Sequence, residues 1–298
     1  MRVLVTGADG QVGTELRLNA PEWVELVALN SRQLDITDLQ ATEACVAQYR
    51  PKLIINAAAY TAVDRAQNEE QQAHAVNASG PANLARSAER AGAALFHIST
   101  DYVFDGVSEV PYDESAWTSP QTAYGRTKLA GEVAVASLCS RHLIMRTSWV
   151  FSAHGSNFVK TMLRLASERD VLRVVADQYG GPTSAKSIAA CLWTLASEYS
   201  GKQDGFRWGL FHFSGAPVSS WYGFAEHVVA VAAQETLIAK RPLVEPIPSA
   251  DFPTPAPRPA FSALDCGKIK QLHAVDQPDW REDLLAVFAT LASLQSST

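Results

Sequence analysis

Two side chains four residues apart carry the strongest chemical signal in the sequence. Tyr124 and Lys128 lie in the segment 123–132, and on a helix this spacing places both side chains on one face. A phenol has a pKa near ~10 and does not readily release its proton at neutral pH. An ammonium one turn away favours the phenolate, so we expect Lys128 to lower the pKa of Tyr124. The pair could then protonate a carbonyl that is being reduced, or act in reverse.

A hydroxyl is available to hold such a carbonyl oxygen against the phenol. The apolar run 94–99 predicts a buried strand, and Thr100 ends it. A hydroxyl at the C-terminal end of a parallel strand faces the crevice in which open α/β sheets bind ligands. Ser119 and Pro120 predict the N-cap and the first residue of the helix that carries Tyr124. The alternative is that Tyr124 is a core aromatic and Lys128 a solvated charge.

The beginning of the chain favours the catalytic interpretation, because it predicts a strand, a glycine turn and a helix. An apolar strand covers residues 2–6, and glycines follow at Gly7, Gly10 and Gly13. Glycines in this arrangement allow a tight turn, close approach of the backbone to a pyrophosphate, and close packing of helix on strand. Phosphates would rest on the N-terminus of the helix. The alternative is a merely tight turn between a strand and a helix.

The end of the second predicted strand, residues 25–29, concerns the choice of cofactor. Folds that prefer NAD often carry Asp or Glu there to accept a hydrogen bond from the ribose 2′-hydroxyl. This chain has Asn30, which has no charge to repel a 2′-phosphate, followed by Ser31 and Arg32, which could bind one. The sequence therefore favours NADPH over NADH; the alternative is that Arg32 is only a solvated loop charge.

Strands and helices alternate along the first half of the chain, which predicts an α/β protein with a doubly wound parallel sheet of the Rossmann type. We expect residues 1–150 to form the NAD(P)-binding domain and residues 151–298 mainly a smaller C-terminal substrate-binding lobe. Within that lobe, segments of about 171–176 and 208–214 are expected to return to the Rossmann sheet.

A proline-rich segment lies near the end of this second region. Six prolines fall within residues 241–258, so neither a helix nor a central strand can form there. We interpret it as an ordered, extended arm over the substrate cleft. A floppy linker is the alternative, but Phe252 and Phe261 would then lack the burial that large apolar side chains favour.

Composition argues against several other classes of protein. The 298 residues carry a formal charge of −6 and no basic run, which disfavours a nucleic-acid surface. No apolar run approaches the ~18 residues of a membrane helix, and no signal peptide precedes the first strand, so a cytoplasmic location is expected. No histidine spacing predicts a zinc site. The isolated cysteines predict reduced, mostly buried thiols; they are Cys45, Cys139, Cys191 and Cys266.

With these motifs in place, the chain resembles the extended short-chain dehydrogenase/reductase superfamily and, within it, the family of dTDP-4-dehydrorhamnose reductases. The resemblance covers nearly the whole chain. The glycine turn and the Tyr124/Lys128 pair are typical of the superfamily, whereas the segments 146–150 and 253–259 are far more specific to the narrower family. The other matching segments are 56–64, 99–104, 124–132 and 177–180.

The resemblance implies NADPH-dependent reduction of the C4 keto group of a dTDP-linked 4-keto sugar. NADH is the alternative reductant, but Asn30 stands where relatives that accept NADH carry an acidic residue, which argues against its use. Tyr124 would protonate the C4 oxygen, Thr100 would bond that oxygen, and Lys128 would hold the nicotinamide ribose. Together with the residues already discussed, the expected cofactor contacts are Gly7, Gly10, Gln11, Val12, Gly13, Asn30, Arg32, Asp35, Ile36, Ala57, Ala58, Ala59, Tyr124 and Lys128. The expected substrate contacts are Thr100, Asp101, Trp149 and Arg258. Some relatives dimerise through Mg²⁺ held by surface carboxylates. No such ligands can be matched here, so Mg²⁺ stays an open alternative without assigned ligands, and a monomer or homodimer is expected.

Two other functions stay open at the level of sequence. One is an epimerase or dehydratase of the same superfamily. Dehydratases resemble Thr-Asp-Glu at this strand end, where the present chain has Tyr102, which cannot act as a carboxylate. Epimerases share the Thr/Tyr/Lys set, and net consumption of NADPH would distinguish them. The other is a regulatory subunit that binds NADP without catalysis, which the intact Thr100, Tyr124, Lys128 and Trp149 disfavour.

Overall fold

The computed structural model describes residues 1–202 and 205–295 as an alternation of strands and helices. The strands are β1 (Arg2–Thr6), β2 (Glu25–Leu29), β3 (Leu53–Asn56), β4 (Ala94–Thr100), β5 (His142–Thr147), β6 (Val150–Phe151), β7 (Val171–Val175), β8 (Tyr179–Gly180), β9 (Thr183–Ser184), β10 (Gly209–His212), β11 (Ser219–Ser220) and β12 (Leu243–Ile247). The helices are α1 (Gln11–Leu18), α2 (Leu39–Tyr49), α3 (Val63–Ala66), α4 (Glu70–His74), α5 (Gly80–Ala91), α6 (Ala123–Leu138), α7 (Phe158–Glu168), α8 (Ala185–Gly201), α9 (Trp221–Gln234), α10 (Gly267–His273) and α11 (Trp280–Gln295). A π-helical turn, Ala75–Ser79, joins α4 to α5, and a 3-10 turn, Asp101–Val103, follows β4.

A six-stranded sheet forms the centre of the fold. Its strand order is β2-β1-β3-β4-β5-β10, and every neighbouring pair runs parallel. The order reverses between β1 and β3, so the carboxyl ends of these two strands border the crevice in which such sheets bind ligands. This is the α/β, Rossmann-type doubly wound sheet that the sequence predicts.

Alternate residues of β1 face opposite sides of the sheet, and each side is covered by helices. Val3 and Val5 belong to a core that includes Leu16 of α1 and the inner face of α8, whereas Leu4 belongs to a core with residues of α2, α5 and α6. Burial on both faces explains why these strands are continuous apolar runs. Both α8 and β10 come after residue 150 in the chain. The sheet and the helices that cover it are therefore built from both halves of the sequence.

A second core lies in the C-terminal half, between α7, α9, α11 and a small sheet of β7 and β12. Leu172 and Val174 of β7 are buried there, while Arg173 between them is exposed. The expectation that 171–176 returns to the main sheet is wrong, because β7 pairs with β12 instead. Its alternating exposure is typical of a half-buried strand rather than of a sheet covered on both faces. The segment 208–214 does contain β10, which pairs with β5.

The helix that carries Tyr124 begins at Ala123 rather than at Pro120. Its N-cap is Thr122, whose hydroxyl accepts from the backbone N–H of Gly125 at 3.0 Å. A Cβ on Gly125 would lie 2.1 Å from the Tyr102 carbonyl oxygen, so this first turn is pressed against the 3-10 turn after β4. That packing decides where α6 starts, and the predicted cap at Ser119 is wrong.

All four cysteines are free and buried, as the sequence predicts. Burial raises the pKa of Cys139 and of Cys266 to about 11, and it raises the pKa of Cys45 as well. At neutral pH these thiols are protonated and shielded from solvent.

Candidate active site

Two glycines of the turn after β1 are required by packing. Gly7 has a φ of +73°, and a Cβ there would lie 2.5 Å from the backbone nitrogen of Ala58. A Cβ on Gly13 would lie 2.0 Å from the carbonyl oxygen of Gly7. Both distances are far shorter than van der Waals contact, so the turn closes only with glycine at these positions. The N-terminus of α1 is thereby brought to the carboxyl ends of β1 and β3.

A cavity of about 560 Å³ lies at this edge of the sheet and joins the glycine turn to the predicted catalytic residues. The predicted site residues that line it are Gly10, Gln11, Val12, Ala57, Ala58, Ala59, Thr100, Asp101, Tyr124, Lys128 and Trp149. A neighbouring cavity of about 240 Å³ shares Gly10 and the 57–59 segment, and Gly7, Asn30, Asp35 and Ile36 also line it. The two cavities together run from the end of β2 to Tyr124.

Thr100 and Tyr124 both line the larger cavity. The Thr100 hydroxyl donates to Asp101 Oδ1 at 2.9 Å and accepts from the backbone N–H of Tyr102 at 3.2 Å. The Tyr124 ring packs edge-to-face against the Tyr102 ring, with centroids 5.5 Å apart. Asp101 is only 2% exposed, and among the described residues its Oδ2 atom has no hydrogen-bond partner. The cavity therefore contains a hydroxyl, a phenol and a buried carboxyl group side by side.

The ionisation of Tyr124 and Lys128 differs from the expectation. Burial raises the pKa of Tyr124 to about 12, and a hydrogen bond with Thr100 offsets part of this rise. Burial lowers the pKa of Lys128 to about 8, with a partial offset from the charge of Glu132. The Lys128 ammonium donates to the carbonyl of Ile98 at 2.6 Å. The predicted lowering of the Tyr124 pKa is wrong for this structure, because removal from water and the charge of Asp101 both favour the neutral phenol.

A buried ion pair behind these residues is absent from the sequence-based expectations. Arg146 of β5 and Glu132 of α6 form a bidentate pair, with Nε–Oε1 at 2.9 Å and Nη2–Oε2 at 2.7 Å. The Ser99 hydroxyl donates to the same carboxylate at 2.5 Å. An arginine within the otherwise apolar run of β5 was the signal for a buried acidic partner, since a lone buried charge is strongly destabilising. The pair fixes α6 against the sheet.

The cavity at the end of β2 is lined by the carboxylate of Asp9, which no sequence motif indicated. The Asn30 amide donates to Asp9 Oδ2 at 2.7 Å, while its Oδ1 accepts from the backbone N–H groups of Arg32 and Gln33 at 3.0 and 3.2 Å. Asp9 and Ser31 line this cavity, but Arg32 does not. The predicted Arg32 contact with a 2′-phosphate therefore lacks geometric support, and the carboxylate of Asp9 lines the cavity instead.

Trp149 packs against the second core and lines the larger cavity. Its φ of +47° is unusual for a residue with a side chain, and such strain persists where the surroundings fix the conformation. Its ring stacks on Trp221 with centroids 3.5 Å apart and an interplanar angle of 5°. A Cβ on Gly180 would lie 2.6 Å from the Trp149 ring, so the indole is held from a second direction.

Arg258 is not brought into the larger cavity. Its guanidinium pairs with Asp64 of α3 at 2.7 Å, and the backbone N–H of Ala256 donates to the same carboxylate at 3.1 Å. Arg258 lines a separate cavity of about 60 Å³ together with Tyr102, which also lines the larger one. These contacts with Asp64 anchor the proline-rich segment beside the site. Phe252 of that segment was expected to be buried, but it is 58% exposed.

No metal centre is evident in the described part of the chain: nowhere in residues 1–202 and 205–295 could a group of three or more His, Cys, Asp or Glu side chains hold an ion. Over the same ranges, no helix has the length and apolar character needed to cross a membrane.

Comparisons with known proteins place this site in a family. A family model described as the RmlD substrate binding domain matches residues 1–293. The dTDP-4-dehydrorhamnose reductase of Sinorhizobium fredii is 43% identical over 282 residues, which cover 95% of this chain and 95% of that one. The chain belongs to the dTDP-4-dehydrorhamnose reductase family. Members of this family are NAD(P)H-dependent oxidoreductases that act on a nucleotide sugar.

Two solved structures of such reductases share the fold. The protein from Clostridium acetobutylicum superimposes with a TM-score of 0.90 at 36% identity, covering 98% of this chain and 100% of that chain. The protein from Bacillus anthracis, solved in complex with NADP, has a TM-score of 0.90 at 35% identity and covers 97% and 99%.

The residues present fit the nicotinamide dinucleotide that the family uses. Gln11 and Val12 begin α1 and line the larger cavity, so backbone N–H groups without a partner inside the helix are available to phosphate oxygens. Missing Cβ atoms at Gly7 and Gly13 allow the turn to approach the sheet closely. The adjoining cavities give an elongated groove rather than a compact pocket, which suits a ligand with two nucleoside ends.

Proposed function

We propose that the chain reduces the C4 keto group of dTDP-4-dehydro-L-rhamnose to give dTDP-L-rhamnose, using NADPH and also accepting NADH. The observation that carries the proposal is that Thr100, Tyr124, Lys128 and Trp149 line one cavity, which adjoins the groove of the glycine turn. Membership of the family supports the nucleotide-sugar substrate. The NADP complex of the Bacillus anthracis relative supports the choice of cofactor.

The residues of the groove would hold the cofactor at its two ends and its centre. The reduced nicotinamide supplies the hydride that reaches the C4 carbon. Backbone N–H groups at Gly10, Gln11 and Val12 bind the pyrophosphate, and Lys128 holds the nicotinamide ribose. Asp35 and Ile36 lie beside the adenine, and the small residues 57–59 leave room for the chain of the dinucleotide.

Tyr124 and Thr100 carry out the proton transfer. Tyr124 donates its phenolic proton to the C4 oxygen, and Thr100 hydrogen-bonds that oxygen. A raised pKa keeps the phenol protonated, so the donor is present throughout the neutral range. Trp149 packs on the sugar, and Asp101 lies beside the sugar hydroxyls.

The C-terminal lobe and the proline-rich segment would bind the rest of the substrate. Arg258 leaves Asp64 and meets the nucleotide diphosphate, to which a planar guanidinium can donate two parallel hydrogen bonds. We place the enzyme in the cytoplasm, as a monomer or homodimer.

An absorbance assay tests the function. Purified protein, NADPH and dTDP-4-dehydro-L-rhamnose are mixed, and loss of the reduced-cofactor band is followed together with the appearance of dTDP-L-rhamnose. Stoichiometric consumption of NADPH by the chain alone supports the reductase. Interconversion of sugars without net consumption would identify an epimerase, and absence of turnover would leave a regulatory subunit.

A further inference from the structure

The indole of Trp149 is covered on one face by a second tryptophan. The rings of Trp149 and Trp221 are parallel within 5°, and their centroids lie 3.5 Å apart. At this separation the two rings are in van der Waals contact, so no sugar can enter between them. A substrate that contacts Trp149 must therefore meet the rest of its indole. Trp221 is not among the described residues that line the larger cavity.

The second core holds the Trp221 ring in place. Two aromatic rings left to themselves favour an offset or edge-to-face arrangement, with centroids roughly 4.5–7 Å apart. Trp221 is the first residue of α9, and Phe158 of α7 packs on its ring at 4.6 Å and an angle of 47°. The backbone N–H of Trp221 donates to the Gln178 carbonyl at 3.3 Å. The second core thus presents this ring as a fixed surface on which the Trp149 indole lies.

The backbone of Trp149 is held by other contacts. Its carbonyl accepts from the backbone N–H of Thr183 at 3.2 Å, and the hydroxyl of the neighbouring Ser148 donates to the Gly181 carbonyl at 2.7 Å. These bonds fix the backbone at a φ of +47° and do not involve Trp221. Loss of the Trp221 ring would therefore allow the Trp149 indole to change rotamer without releasing its backbone.

The position of this indole matters because it forms part of the cavity wall. Trp149 lies between β5 and β6 and lines the larger cavity together with Tyr124. A side chain that samples several rotamers loses conformational entropy when a ligand orders it, and this weakens binding. An indole that is already fixed loses less. The stack on Trp221 therefore prepares the cavity wall before a sugar arrives.

We propose that Trp221 is a positioning residue for the nucleotide sugar and acts through Trp149. It covers one face of that indole, holds the ring at the cavity wall, and so raises the affinity for the substrate without touching it. The inference rests on the proposed reductase function, in which Trp149 packs on the sugar. Because Tyr124 donates the proton, the chemical step itself should depend little on Trp221.

Steady-state kinetics of Trp221→Ala and Trp221→Phe test the proposal. Trp221→Ala should raise the KM for dTDP-4-dehydro-L-rhamnose about tenfold, which is the scale of one aromatic pair. Its kcat and its Kd for NADPH should stay within about twofold of the wild type, as expected when only ground-state binding is lost. Trp221→Phe restores a flat ring and should recover most of the affinity. An unchanged KM in Trp221→Ala, or an equally high KM in both variants, would overturn the proposal.

Trp280→Phe is the matched control for a general loosening of the second core. Trp280 belongs to that core, where its ring packs on Phe224 and His227 and its indole N–H donates to the Pro217 carbonyl at 2.7 Å. The smaller ring should lower the melting temperature but leave the KM at the wild-type value. If Trp280→Phe raised the KM as much as Trp221→Ala, the effect would come from the whole lobe and the proposal would be wrong.

Fluorine NMR of protein labelled with 5-fluorotryptophan gives a readout apart from activity. Trp149→Phe identifies the Trp149 resonance among those of the seven tryptophans, because that signal disappears. In Trp221→Ala the resonance should move, since the ring current of the stacked indole is gone, whereas in Trp280→Phe it should stay in place. An unmoved Trp149 resonance in Trp221→Ala would show that Trp221 does not hold this ring.

Titration with dTDP-L-rhamnose, followed on the same resonance, separates this inference from the proposed function. If the wild type binds this sugar nucleotide but turns nothing over, the reductase proposal fails, and a Kd about tenfold higher in Trp221→Ala still supports the positioning role. If the resonance moves in Trp221→Ala while its KM and its Kd equal those of the wild type, the positioning role is wrong and the reductase stands.

Discussion

Tyr124 is a phenol whose burial keeps it protonated, and its hydroxyl can be removed without disturbing the ring. Tyr124→Phe keeps the contact with the Tyr102 ring and deletes only the proton donor. Turnover should fall by roughly 10²-fold or more, which is the usual scale for a lost general acid. Binding of NADPH, followed by fluorescence titration, should be unchanged. Near-normal turnover would exclude Tyr124 as the donor.

Asp9 is the residue that bears most directly on cofactor preference. Asp9→Asn removes a negative charge from the cavity at the end of β2 and keeps an oxygen that can accept from Asn30. Repulsion between an exposed carboxylate and a nearby phosphate is on the order of 1 kcal/mol, so the Kd for NADPH should fall about fivefold while that for NADH stays the same. Isothermal titration with both cofactors measures this.

Arg32→Ala is the matched control for that measurement. Arg32 is exposed and does not line the cavity, so its removal should alter neither Kd. If Arg32→Ala weakened NADPH binding and Asp9→Asn had no effect, Arg32 would be the residue that binds the 2′-phosphate, as the sequence favours.

Among the elements, the proline-rich segment offers a test of how the substrate is held. Arg258→Ala should raise the KM for the nucleotide sugar about tenfold, since a charge-assisted hydrogen bond contributes ~1.5–3 kcal/mol, and should leave NADPH binding unchanged. Arg241→Ala is the control on the same segment. The Arg241 guanidinium lies on the surface, 3.9 Å from the Glu226 carboxylate, so its loss should not affect substrate binding. If both variants had the same KM for the nucleotide sugar, Arg258 would not be a substrate-binding residue.

Element boundaries could be predicted where local sequence decides them and not where packing does. β1 and β4 are buried on both faces and therefore appear as continuous apolar runs. The start of α6 depends on how closely Gly125 approaches the Tyr102 carbonyl, a contact between two elements that no local pattern contains. The place of β7 depends likewise on its pairing with β12, much later in the chain.

At the scale of the whole molecule, stability should fall in acid because His212 is buried in its neutral form. Its Nδ1 lies 3.0 Å from the Tyr112 carbonyl oxygen and therefore carries the proton. Burial and the charge of Arg146 lower its pKa to about 3. The unfolded chain binds a proton near pH ~6.5, so the stabilisation is complete above that pH and is lost as pH falls toward 3.

His212→Asn removes this titration and should flatten the acid side of the stability curve. The drop in free energy of unfolding between about pH 7 and about pH 4 should be smaller than in the wild type by on the order of 1–3 kcal/mol. Urea denaturation at both pH values measures it. His74→Asn, at an exposed position, should keep the wild-type drop; an equal drop in His212→Asn would contradict the prediction.

Much of the candidate site could be predicted because its members lie in short motifs whose chemistry is local. The glycine turn and the Tyr124/Lys128 pair are of this kind, and both line the groove. The contacts that escaped prediction join segments that are distant in the chain, such as Arg146 with Glu132 or Arg258 with Asp64. Their partners become visible only once tertiary packing is known.

The buried thiols have a practical consequence for labelling. Since the native cysteines are free, protonated and shielded, a maleimide reagent should leave the folded protein unmodified. A cysteine introduced by Phe252→Cys, on the exposed part of the proline-rich segment, would be the reactive thiol. A fluorophore attached there could report whether this segment moves when a nucleotide sugar arrives, in protein that retains every native cysteine.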